Sequence, residues 1–106
     1  MKKAAAYARV STKKQSETSI ETQFEIVRNF AQENSIEIVD EFHDKITASG
    51  SERRPGFGTM VEKALDGAYN FIIVDKQDRF ERDSVEEQVI IRQLEQKRVS
   101  VLYARE

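Results

Sequence analysis

Phe71-Ile72-Ile73-Val74 is an uninterrupted apolar run, set between Asn70 and a charged stretch that begins at Asp75. A strand with one wet face alternates apolar and polar residues. A strand that does not alternate is covered on both faces, as in the middle of a parallel sheet flanked by helices. This run therefore demands helical segments on either side of it in the chain, and they are there. Ile20, Phe24, Val27 and Phe30/Ala31 recur at helical period, as do Phe57, Met60, Val61, Ala64 and Leu65.

Start and stop signals bound these segments. Thr18-Ser19-Ile20-Glu21 and Ser84-Val85-Glu86-Glu87 are capping-box patterns, the second opening a helix that runs to about Lys97. Asn34-Ser35 closes the first helix. Pro55 suits a first helical position, and Gly67 a left-handed stop. Residues 4–10 are small enough for a strand covered on both sides; residues 36–43 begin with alternation, and residues 99–103 give a last strand. The order β-α-β-α-β-α-β predicts an α/β three-layer sandwich with a largely parallel four- to five-stranded sheet. At 106 residues it is a single domain.

Composition excludes several chemistries. There is no cysteine, so no disulfide, thiolate nucleophile or zinc–thiolate site. No apolar run approaches the ~18 residues of a membrane span, and the N-terminus lacks a signal-peptide core. A cytoplasmic location is expected. Seventeen basic residues against nineteen acidic give a net charge of −2, which disfavours a broad polyanion-binding surface. The arginines are nonetheless placed unevenly: Arg9, Arg53, Arg54, Arg79 and Arg82 fall in segments that read as loops or element ends.

Ligands of open α/β sheets bind outside the carboxyl ends of the strands. Three polar clusters follow strands here: Arg9-Val10-Ser11, the loop from Asp44 to Arg54, and the run Lys76 to Asp83. Together they bring a hydroxyl, carboxylates and several guanidiniums to one rim. Guanidinium matches phosphate oxygens bidentately, so a serine among arginines suits phosphoryl transfer better than amide chemistry. Taken alone, Ser11 reads as an ordinary turn serine; counted with the arginines, the phosphoryl-transfer reading stands level with it. Tyr7, Arg9 and Ser11 alternate and so share a face of an extended chain. Gln23, an amide inside an apolar stripe, reads as a buried structural hydrogen bonder or as a group reaching the rim. The sequence holds no P-loop pattern; Gly56-Phe57-Gly58 lacks a third glycine and follows no strand. His43, the sole histidine, makes a serine triad conceivable, yet no G-x-S-x-G elbow accompanies it. Asp75, Asp78, Glu81 and Asp83 cluster as metal ligands do, but interleaved Lys76, Arg79 and Arg82 point instead to carboxylates that orient arginines.

Tyr7-Ala8-Arg9-Val10-Ser11-Thr12 resembles the opening motif of the catalytic domain of serine site-specific recombinases, the resolvase/invertase family. The resemblance continues through Ser19 to Gln23, Ser51 to Phe57, and Val74 to Asp83, and so covers essentially the whole chain. The Arg54-Pro55-Gly56-Phe57 segment is closer to the large serine recombinases. The resemblance implies a resolvase-like catalytic fold and DNA cleavage and rejoining through a 5′-phosphoserine on Ser11. It makes Arg9, Arg54, Arg79 and Arg82 ligands of the scissile phosphate, with Arg53 the neighbouring alternative to Arg54. Gln23 becomes an active-site glutamine, and Asp78 orients an arginine or assists proton transfer. Neither metal, ATP nor any other cofactor is implied; the partners are double-stranded DNA and further copies, as dimers pairing into tetramers. Gln77 and Glu81 depart from the apolar and small residues of the family. The chain stops at Glu106, ahead of the family's dimerisation helix and DNA-binding domain, so a catalytic domain inactive by itself is expected. The competing readings are a receiver-like α/β regulatory module and a metal-dependent nuclease. Arg9-Val10-Ser11 and Arg105-Glu106 stand where a receiver carries paired acids and a lysine.

Overall fold

Ala4, Ala5, Ala6 and Ala8 make a strand thin enough for helices to pack against both of its faces, and that strand is the centre of the molecule. The computed structural model describes residues 1–11, 18–46, 55–76 and 85–105. Its elements are β1 (Lys2–Ser11), α1 (Ile20–Glu33), β2 (Ile36–Ile46), α2 (Pro55–Leu65), β3 (Phe71–Val74), α3 (Val85–Gln96) and β4 (Ser100–Tyr103). The four strands lie in the order β2-β1-β3-β4, and every pairing is parallel. The expected sandwich is present, with four strands among the described residues.

Alternation on β1 sorts the core into two layers. Ala4, Ala6 and Ala8 meet Phe24, Val27 and Ala31 of α1 on one face. Ala5 and Tyr7 meet Phe57, Met60, Val61 and Ala64 of α2 and Leu94 of α3 on the other. Ile72, Ile73 and Val74 of β3 are completely buried, as their unbroken apolar run requires. Full burial of side chains of this size stabilises by about 1.5–3 kcal/mol each.

The element ends differ from the sequence expectation in instructive ways. Ser19, not Thr18, is the N-cap of α1: its Oγ accepts from the Thr22 N–H at 3.2 Å, and Thr22 rather than Glu21 occupies the third helical position. The α1 exit places Ser35 at φ 56°, and α3 likewise ends with Arg98 at φ 61°. Gly67 (φ 92°) closes α2 as expected: its N–H donates to Ala64 O and that of Ala68 to Lys63 O. Ser84, the cap expected for α3, lies outside the described residues. Strand β2 runs on to Ile46, beyond the expected end at residue 43, because its polar end pairs with β1 as far as Ser11↔Ile46. A register irregularity opposite Ala4/Ala5 leaves Val39 as the extra residue of β2, turning the later residues so that Asp44 faces the α2 side.

Candidate active site

The chain passes from β2 across β1 to β3, so the direction of winding reverses between β1 and β3. That reversal opens a crevice outside their carboxyl ends, where open α/β sheets hold ligands. Ser11 is the last residue of β1 and is partly exposed; Asp75 immediately follows β3. Ser11, which the sequence places just beyond a strand ending at residue 10, is still part of it, and Arg9 and Ser11 pair with Asp44 and Ile46.

Gln23 fastens this end of β1. Its Oε1 accepts from the Arg9 N–H at 3.1 Å, while its Nε2 donates to Arg9 O at 3.0 Å and to Thr18 O at 2.8 Å. The side chain is fully buried, and its polar atoms are spent on backbone. Of the two sequence readings of Gln23, the hydrogen bonder is what its contacts describe, and those contacts are with the rim itself. Arg9 is 8% exposed, a cation held close to the crevice and largely out of water.

Asp44 is the residue at this rim whose role the sequence did not disclose. Its carboxylate accepts from the Tyr7 hydroxyl at 2.8 Å and from the amides of Gly56 and Phe57, each at 2.9 Å. Those amides belong to the first turn of α2, where the orphan donors of a helix need partners and the helix dipole favours an anion. Pro55 brings no N–H, so a carboxylate from a neighbouring strand completes the cap. Gly56 permits this approach: a Cβ there would lie 2.6 Å from His43 O.

Asp75 is completely buried and bridged by Arg105, with Nε to Oδ1 at 2.5 Å and Nη2 to Oδ2 at 2.7 Å. The Arg105 backbone N–H also donates to Asp75 O at 2.8 Å. The arginines expected to be oriented by the carboxylates of this run, Arg79 and Arg82, lie outside the described residues; the arginine that Asp75 holds in the described part is Arg105. Nη2 of Arg105 further approaches Thr18 Oγ1 at 3.5 Å.

Ser11, Arg9 and Gln23 therefore share one strand end. Arg54, Asp78, Arg79 and Arg82, together with Arg53, Gln77, Glu81 and Asp83, lie outside the described residues. His43 is exposed, sets its ring edge-on to Phe24, and pairs with Ala8 rather than with the rim. Three positions along a strand is roughly 10 Å, too far for a triad with Ser11. Among the described residues no three His, Asp or Glu side chains gather as metal ligands, and no helix is long and apolar enough to cross a membrane.

Comparison with known proteins gives a consistent result. The family model "Resolvase, N terminal domain" matches residues 4–106. A resolvase family site-specific recombinase from Streptococcus pneumoniae is 32% identical, with a TM-score of 0.78 over 98% of this chain and 72% of its own. The N-terminal catalytic domain of TP901-1 integrase (21% identity, TM-score 0.80) is covered to 77% by 97% of this chain. The C-terminal catalytic domain of ISC1926 TnpA, an IS607-like serine recombinase, has the same identity and TM-score, over 98% of this chain and 70% of its own. At that identity the last two speak for the fold alone. No curated protein matches the chain.

Proposed function

This chain belongs to the resolvase N-terminal-domain family, and from that premise we propose that it cleaves and rejoins DNA strands in site-specific recombination, with Ser11 as nucleophile. The Ser11 Oγ attacks the phosphorus of a DNA phosphodiester and loses its proton as the bond between phosphorus and the 3′ oxygen breaks. The 3′ oxygen takes up a proton. The products are a 5′-phosphoserine linkage and a free 3′-hydroxyl. Attack by the 3′-hydroxyl of a partner strand reverses the step and releases Ser11, so the count of phosphodiester bonds is unchanged and no nucleotide triphosphate is consumed.

The observation that carries this reading is the position of Ser11: a partly exposed hydroxyl ending the central strand at the β1/β3 crevice, two residues beyond the buried Arg9. A preorganised cation at such a place stabilises the charge that develops on a phosphorane. By family resemblance Arg54, Arg79 and Arg82 complete the set, and Asp78 orients one of them or assists proton transfer. Arginines then do the charge neutralisation that metal ions perform in other phosphoryl-transfer enzymes. Double-stranded DNA is the substrate, and dimers pairing into tetramers are the working assembly.

The test is a covalent adduct. Sheared, end-labelled genomic DNA from the source organism is incubated in EDTA with a longer protein that carries this domain, and then denatured in SDS. Label that migrates with wild-type protein, but not with Ser11→Ala, is expected. A DNA-linked protein that persists in Ser11→Ala, or cleavage seen only when a divalent metal is restored, overturns the reading.

A further inference from the structure

We propose that Asp75 and Arg105 are a positioning pair that ties the exits of β3 and β4 to the strand end carrying Ser11. The proposal rests on the Ser11 reading above and names two residues which that reading does not use. Asp75 is 0% exposed, at the point where the chain leaves the central strand β3. Arg105 stands just beyond β4, and two of its guanidinium nitrogens contact the two oxygens of Asp75. The backbone adds Arg105 N–H to Asp75 O and Ala104 N–H to Val74 O, so the two exits are joined by main chain as well as side chain.

From there the contacts lead to β1. Nη2 of Arg105 lies 3.5 Å from Thr18 Oγ1, at the long end of hydrogen bonding. The carbonyl of the same Thr18 accepts from Gln23 Nε2, and Gln23 holds both backbone groups of Arg9. Five side chains or backbone segments, from Asp75 through Arg105, Thr18 and Gln23 to Arg9, thus connect both sides of the crevice. An apolar pair could fill the same space without taking a carboxylate out of water. What the bidentate pair adds is a fixed angle and distance, because the planar fork meets both carboxylate oxygens at once. Arg105 is therefore a positioning residue and not a ligand of the phosphate, despite being a half-exposed arginine at the rim.

The adduct assay, with the same sheared genomic DNA, separates position from binding. Arg105→Gln and Asp75→Asn are expected to slow Ser11–DNA adduct formation by about 10–100-fold, the cost of a misplaced reacting group, while DNA retention on a filter is unchanged. Arg105→Lys keeps the charge without the fork and is expected to fall between wild type and Arg105→Gln. The double variant is expected to lose less than the product of the single losses, since both substitutions break one interaction. Wild-type rates in Arg105→Gln, a defect in DNA retention alone, or single losses that multiply in the double variant overturn the proposal. If Asp75→Asn does not fold, the order wild type, Lys, Gln at position 105 decides. If wild-type protein forms no Ser11-dependent adduct, the Ser11 reading falls, and the pair is judged by amide exchange in Arg105→Gln. Faster exchange at Thr18 to Gln23 then supports the tie between strand exits, and unchanged exchange there overturns it.

Discussion

One side-chain amide, that of Gln23, holds both the N–H and the carbonyl of Arg9, at 3.1 and 3.0 Å. The arrangement extends α1's reach to the working end of β1, because Gln23 sits in the first turn of the helix that follows it. Substituting Gln23 with Leu keeps the volume and strands the two buried backbone groups of Arg9 and the part-buried carbonyl of Thr18. An unsatisfied buried group costs about 1–3 kcal/mol, so a loss of roughly 2–4 kcal/mol in urea unfolding is expected after relaxation. Gln23→Glu turns two donors into acceptors facing carbonyls and is expected to be at least as costly. A midpoint shift of a few tenths of a molar or less in either variant would contradict this role.

Tyr69 supplies a pH test of the fold away from the crevice. The residue is buried, its hydroxyl donates to Asp40 Oδ2 at 2.5 Å in a part-buried bond, and burial first, then this bond, pushes its pKa upward. The neutral form is thus favoured more in the folded than in the unfolded chain. Its contribution is complete below the unfolded pKa of about 10 and is lost as pH rises from there toward the folded value. Stability is therefore expected to fall above pH ~10 with a steeper slope in wild type than in Tyr69→Phe. Parallel curves would remove Tyr69 from the account.

What the sequence disclosed, and what it withheld, follow from the range of the interactions. The β3 run, the helix stripes and the Gly67 stop are local patterns, and each lies where periodicity and backbone preference put it. Gln23 stood out as an amide in an apolar stripe, a local anomaly with a local address. Asp44 did not stand out, because its partners Gly56 and Phe57 lie 12 and 13 residues away. Its direction depends on the β2 irregularity at Val39 and on its pairing opposite Arg9. Asp75 and Arg105 are 30 residues apart and meet only because β3 and β4 are adjacent. Charged residues such as Asp44 and Lys45 read as loop until the parallel partner that makes them strand is known.

The arginines named by family resemblance carry a prediction of chemistry. If Arg79 and Arg82 contact the phosphate in the transition state, lysine preserves charge and loses the planar fork. Removing one such donor costs about 10²–10³ in rate, so Arg79→Lys and Arg82→Lys are expected to form the Ser11 adduct that much more slowly, with thermal midpoints near wild type. Arg92 is exposed on α3 and Arg98 exposed just past it. Lysine at either is expected to be silent. Equal adduct rates in all four variants would show that the phosphate is held elsewhere.

Gly56 and Gly58 sit two residues apart on α2, and their substitution should have opposite effects. An added Cβ at Gly56 would come within 2.6 Å of His43 O and 3.2 Å of Asp44 Oδ1, and the nearer atom is backbone that cannot turn aside. Gly56→Ala therefore separates α2 from the β2 carboxylate that caps it, and a loss of about 1–3 kcal/mol is expected, the cost of overpacking. Around Gly58 nothing lies within 4 Å of the added atom. Alanine in a helix is favoured over glycine by about 0.5–1 kcal/mol, so Gly58→Ala is expected to raise stability by that amount. Asp44→Ala, which removes the carboxylate instead of the space, is expected to destabilise as well, and adding Gly56→Ala to it should still cost most of what Gly56→Ala costs alone, because the His43 carbonyl stays in place. Urea unfolding of the four variants decides: wild-type stability in Asp44→Ala would mean that α2 is not held by this carboxylate, and wild-type stability in Gly56→Ala that this close approach is absent.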